Sequence, residues 1–182
     1  MKGFRNEKRT SMIGENAGAD SAKTIAFVRY LGVDVRPRSY GFVVIEGGTL
    51  LDSGIRICDR SQFDDCLGQR FLRILQTYSP SVVIMRKLTS PPAADRKRAI
   101  VAAIKKAARQ CKVDVAFISP AALRRHFSRY NASTKYEIAR AVAQIFPDLA
   151  WKLPHKRKSW ESEHHRMSIF DAAAVVISYT MK

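Results

Sequence analysis

The chain has 182 residues, of which 46% are hydrophobic and 26% charged, and it carries a formal net charge of +16. That size suits one domain, and that apolar content supports a core and excludes wholesale disorder. No apolar run nears the roughly 20 residues of a membrane span, and three cysteines without a Cys-x-x-Cys pair (Cys58, Cys66, Cys111) speak against a disulfide framework or a thiolate zinc site.

Residues 1–24 read as a disordered basic tail with few large apolar side chains. They hold five basic and three acidic residues, a net of +2, which leaves +14 for residues 25–182. The folded part is therefore itself basic, which favours a polyanionic partner, nucleic acid first of all. The opening residues lack an apolar signal core, so a cytoplasmic location is expected, and Met12 offers another initiator.

Residues 25–35 are rich in β-branched and aromatic side chains and predict a first strand ending near Asp34. Residues 39–46 predict a second strand, Gly47-Gly48 a hairpin turn, and residues 49–57 a third strand. Helical spacing over 63–78, closed by Pro80, is followed by a short apolar strand over 81–88. A basic helix is expected over 93–112, with Ile100, Ile104 and Ala107 inward, then a strand over 113–118 and a short helix over 121–127. A helix over 133–146 carries the capping-box pair Thr134 and Glu137. A basic loop over 152–158 precedes a last helix over 162–181. The order predicts an α/β fold: a mixed five-stranded sheet, three strands in an antiparallel meander and the rest parallel, flanked by helices.

Two acids stand out. Asp34 ends an apolar run, as a turn former before Pro37 or as a metal ligand at a strand tip. Asp171 lies among small and apolar residues inside the last helix, where an unpaired charge is costly.

The order Leu31-Gly32-Val33-Asp34, Pro80-Ser81-Val82-Val83-Ile84, Ile118-Ser119-Pro120, Ala132-Ser133-Thr134-Lys135 and Asp171-Ala172-Ala173-Ala174 resembles the RuvC family of Holliday-junction resolvases. The resemblance runs from about residue 25 to 181 and implies an RNase H-like fold. It also implies Mg²⁺- or Mn²⁺-assisted phosphodiester hydrolysis on branched DNA, a homodimer and a nucleoid-associated setting. Asp34 and Asp171 take the family's first and last carboxylate positions. Its second acid, after the fourth strand, is here Arg86, and the acid three residues before the last is Ser168. A guanidinium repels a metal cation by about 4 kcal/mol per unit charge at 4 Å and an effective dielectric of 20. The first turn, Arg36-Pro37-Arg38-Ser39, also departs from the family's glycine-containing turn.

Two readings follow. The site is rebuilt from other acids, with Glu163, Glu46 or Asp95 as substitutes and His164 as a further metal ligand, or hydrolysis is lost and DNA binding kept. In the second, Arg86 pairs with Asp34 or Asp171. His164, seven residues before Asp171, is expected on the same helix face, as a metal ligand or proton shuttle; with His165 it reads first as an exposed, phosphate-facing pair beside Arg166. Arg96, Lys97, Arg98, Lys105, Lys106 and Arg109 of the basic helix are the expected DNA contacts, with Lys135, Lys156, Arg157 and Lys158. A basic module binding RNA or an acidic protein is the remaining alternative.

Overall fold

The computed structural model describes residues 28–58, 65–88 and 95–181; the expected tail, residues 1–24, lies outside them. Strand β1 (Arg29–Arg36) pairs antiparallel with β2 (Ser39–Glu46), which pairs antiparallel with β3 (Thr49–Ile57). Gly47 and Gly48 turn the second hairpin at φ of 56° and 85°, the left-handed conformation that glycine adopts without a Cβ penalty. Helix α1 (Asp65–Tyr78) leads to β4 (Val82–Arg86), and helix α2 (Asp95–Gln110) leads to β5 (Asp114–Ile118). β4 runs parallel to β1, β5 runs parallel to β4, and the sheet order is β3-β2-β1-β4-β5. This is the mixed five-stranded sheet the sequence predicts. Helices α3 (Pro120–Ser128) and α4 (Lys135–Ile145), a 3-10 helix (Pro147–Lys152) and α5 (Met167–Thr180) complete the domain.

Alternation along the strands divides the core in two. Leu31, Val33 and Val35 of β1, with Tyr40, Phe42 and Val44 of β2, pack under α1 and α2. Val43, Ile45, Val82 and Ile84 point the other way, under α3, α4 and α5. Helix α5 is buried from residue 167 to 178 and apolar apart from Ser168, Asp171 and Ser178 in that stretch, as suits a helix enclosed by the sheet and its neighbours. Two glycines let it approach the sheet. A Cβ on Gly32 would lie 2.3 Å from the Ala172 carbonyl oxygen, and one on Gly41 would lie 2.5 Å from the Ser168 backbone.

Three expectations are corrected. The last helix begins at Met167, not at 162: residues 162–164 are irregular, and His164 to Arg166 make only i→i+3 turns that lead into it, with no side-chain cap from Arg166. His164 therefore does not share a helix face with Asp171. Lys152, expected to open the basic loop, instead ends a 3-10 helix (Pro147–Lys152) opened by Pro147. The other elements differ from expectation by a few residues at their ends, and positions 25–27, 63 and 93–94 lie outside the described residues. Among the described residues no helix is long and apolar enough to cross a membrane.

Candidate functional site

The site lies at the carboxyl ends of the parallel strands, where open α/β sheets commonly bind ligands. Asp34 and Arg36 are two residues apart on β1, so both project toward α5. Asp34 is paired in register with Gly41. Because Gly41 has no side chain, the first turn of α5 settles over it at Ser168. Ser168, Asp171 and Ala172 lie on one helix face by their spacing, and this brings Asp171 over the β1 end. Asp34 and Asp171 are only 2% and 8% exposed, so each needs a partner.

The partner common to both is Arg36. Its Nε donates to Asp34 Oδ2 at 2.6 Å, its Nη1 to Glu163 Oε2 at 2.8 Å and its Nη2 to Asp171 Oδ2 at 2.8 Å. One planar guanidinium thus engages three carboxylates through three nitrogens, a use of its fixed fork that a lysine cannot match. Two further cations close the cluster. Arg86 Nη2 donates to Asp34 Oδ1 at 3.0 Å. Lys135 Nζ donates to Glu163 Oε1 at 2.9 Å and approaches Asp171 Oδ2 at 3.4 Å. Three acids face three bases.

Burial alone would weaken the Arg36 charge, but Asp34 and Asp171 outweigh it and hold the guanidinium protonated more firmly than usual. Burial likewise pushes the Glu163 carboxyl up, while hydrogen bonds from Lys135 and Arg36 prevail and keep it below its ordinary value. Burial and the neighbouring Asp171 charge raise the Asp34 carboxyl, with Arg36 and Arg86 pulling against them.

The family resemblance implies a divalent ion among these carboxylates. The donor set does not fit one as arranged. Mg²⁺ needs several oxygens at 2.0–2.1 Å around a common centre, whereas the inward oxygens of Asp34, Glu163 and Asp171 converge on a guanidinium that is itself a cation. Arg86, at the position of the family's second acid, adds another. Among the described residues no group of three His, Cys, Asp or Glu side chains is disposed to hold a metal ion.

The remaining expected residues sort clearly. Glu163 joins the cluster, although it was only one of three substitutes. Glu46 pairs instead with Arg29 at the opposite end of the first hairpin, and Asp95 pairs with Arg98 on the surface of α2. His164 stacks on His165 with ring centroids 4.3 Å apart, and its Nδ1 accepts the Arg166 backbone N–H. Ser168 donates to the His165 carbonyl. Arg36 is the residue that sequence reasoning missed. Its signal was present: two residues beyond Asp34 on a strand means the same face of the sheet.

The basic side chains fall on two sides of the cluster. A groove of about 290 Å³ is lined by Lys135, Lys156, Arg157 and Glu163. A second hollow, about 250 Å³, is bordered by Asp34, Arg86 and Lys97. Lys105, Lys106 and Arg109 are exposed but lie farther along α2. At 1.5 Å per residue, Arg109 is about 18 Å along the axis from Lys97, and α2 packs on the sheet face opposite α5.

No family model matches the sequence, and no curated protein matches it significantly. Solved structures do match in fold. Thermus thermophilus RuvC in complex with a Holliday junction substrate is 18% identical, with a TM-score of 0.65 over 83% of this chain and 92% of that one. A second T. thermophilus RuvC structure gives 17% and 0.63 over 85% and 96%. The yeast mitochondrial Holliday junction resolvase Ydc2 gives 12% and 0.62 over 84% and 77%. The chain has the α/β, RNase H-like fold of these resolvases.

Proposed function

We propose that this chain is a RuvC-like protein that binds branched DNA and has lost phosphodiester hydrolysis. The observation that carries the reading is the Arg36 guanidinium among Asp34, Glu163 and Asp171, with Arg86 behind it. The acids that would otherwise gather a divalent cation are neutralised by cations of the chain itself. The net charge of +16, held mostly outside the tail, supports a nucleic-acid partner. The fold shared with resolvases supports branched DNA as its form. Lys97 on one side of the cluster, and Lys135, Lys156, Arg157 and Lys158 on the other, are the phosphate contacts, with Arg96 and Arg98 beside Lys97. Lys105, Lys106 and Arg109 are peripheral. Pairing into a homodimer belongs to the same reading.

The test sets the protein against a four-way junction, a duplex of equal length, a single strand and an RNA of equal length, with Mg²⁺ or Mn²⁺. Preferential binding to the junction with no cleavage in either metal is the expected result. Cleavage that disappears in Asp34→Asn would instead establish a nuclease using Asp34, Asp171 and Glu163. Equal affinity for junction, duplex and RNA would remove the resolvase-like assignment and favour a general basic module.

A further inference from the structure

Both tryptophans of the chain, Trp151 and Trp160, bracket the basic loop, and they are 72% and 79% exposed. Tryptophan is highly buried on average, and Tyr40, Phe42, Phe71, Phe127 and Phe170 of this protein are fully buried. Between the two indoles lie Lys152, Lys156, Arg157 and Lys158 and no acid.

Each ring is paired with an ammonium over one face. Lys152 Nζ sits 5.1 Å from the Trp151 ring centroid and donates to Ser53 Oγ at 2.8 Å, which ties the 3-10 helix to β3. Lys158 Nζ sits 5.4 Å from the Trp160 ring centroid. The backbone beside Trp160 is closed by Glu161, whose carboxylate accepts the Lys158 N–H at 2.9 Å and whose carbonyl accepts Arg157 Nη1 at 3.0 Å. The ends of the loop are therefore tied by hydrogen bonds, while both indoles stay largely open to solvent.

Exposed indoles interleaved with cations match one ligand chemistry closely: phosphates for the lysines and unstacked bases for the rings. A base inside a duplex has no free face to offer. We infer that Trp151 and Trp160 are stacking platforms for unpaired nucleobases, so that the basic loop takes single-stranded DNA, such as a branched junction exposes where base pairs open at its branch point. The inference rests on the DNA-binding reading above and names the strand form that this part of the surface holds.

The experiment uses the chain's own fluorescence, since all of its tryptophan emission comes from these two rings. The intact protein is titrated with a thymidine oligonucleotide of about 16 nucleotides, a blunt duplex, a four-way junction and anionic phospholipid vesicles. A dye on each DNA reports binding separately by anisotropy. Emission should be quenched by the single strand and the junction, and much less by the duplex. Trp151→Ala and Trp160→Ala should each lower single-strand affinity about tenfold, Trp160→Phe should retain most of it, and duplex affinity should hold in all three. Trp151→Phe leaves Trp160 as the sole reporter and assigns the quenching ring by ring. Anisotropy binding with unchanged emission would overturn the stacking inference while leaving the DNA reading intact, as would equal quenching by the duplex. Absence of binding to any DNA would overturn both. A blue shift with vesicles but none with DNA would assign the loop to a membrane surface and overturn the inference.

Discussion

At the scale of single residues, Arg36 decides what the carboxylates can do. Removing it leaves Asp34, Glu163 and Asp171 close together, with only Arg86 and Lys135 to answer them. Breaking a buried pair from one side typically costs about 3–5 kcal/mol, because the stranded charge keeps its desolvation penalty. Arg36→Gln should therefore destabilise the fold by about 3 kcal/mol, read from urea unfolding; a loss under about 1 kcal/mol would show that the cluster is not held through this guanidinium. The pH dependence has a definite sign. Glu163 sits below its ordinary 4.5 in the folded state, so its contribution is complete above that value and is lost as the pH falls below it. Unfolding free energy should drop on acidification below pH 4.5, and Lys135→Ala should flatten that part of the curve, since Lys135 is one of the two bases responsible. Introducing an acid is the converse case. Arg36→Gln combined with Arg86→Glu leaves four carboxylates against Lys135. The double variant should gain a melting-temperature rise in millimolar Mn²⁺ that the parent lacks; an equal response of both proteins would count against this account of the site.

At the scale of elements, the approach of α5 to the sheet sets the geometry. A methyl at Gly32 meets backbone carbonyl oxygen at 2.3 Å and Val176 at 2.5 Å, so Gly32→Ala must displace the helix or bend the strand. Overpacking of this kind costs about 1–3 kcal/mol, and a calorimetric melt should show the loss, whereas Gly48→Ala meets no atom within 4 Å and is opposed only by its φ of 85°. The start of α4 is the other local device. Thr134 Oγ1 accepts the Glu137 N–H, and the Glu137 carboxylate returns bonds to the Ser133 and Thr134 N–H groups, which lowers its pKa to about 2. Thr134→Ala should remove about 1 kcal/mol. Because Lys135 is the first residue of that helix, its hold on Glu163 should loosen as well, visible as a rise in the Glu163 titration midpoint by NMR. The Thr134 cap was legible in the sequence because a capping box is a local pattern. The start of α5 was not, because Arg166 carries no capping side chain and the polar residues before it continue a helical spacing by accident. The strands were legible from alternation and β-branching. The ion cluster was only half so: Asp34, Asp171 and Arg86 had positional meaning, but Arg36 meets Glu163 across 127 residues of chain, and nothing local marks that contact.

At the scale of the whole molecule, Lys97 on one side of the ion cluster and Lys135, Lys156 and Arg157 on the other border the carboxyl edge of the sheet. If DNA lies across that edge, the logarithm of the binding constant should fall linearly with the logarithm of salt concentration, and each phosphate-contacting lysine removed should reduce the slope by about one. Lys97→Ala and Lys156→Ala should do so. Lys106→Ala, well along α2 from the site, should leave the slope unchanged, and a slope that responds equally to all three would mean that the protein offers DNA no defined track.

The single guanidinium that joins β1, α5 and the segment before it has one more consequence. A dissolved ion holding three carboxylates must be recaptured from solvent each time the pocket opens, so the stability it confers rises and falls with its supply. Arg36 is tethered two residues from Asp34 and returns at a local concentration that dilution cannot lower. The folded state should then be indifferent to chelators and to magnesium starvation, with one melting temperature in EDTA and in excess Mg²⁺. The counter-charge of these carboxylates is carried along the chain itself, not drawn from the surroundings.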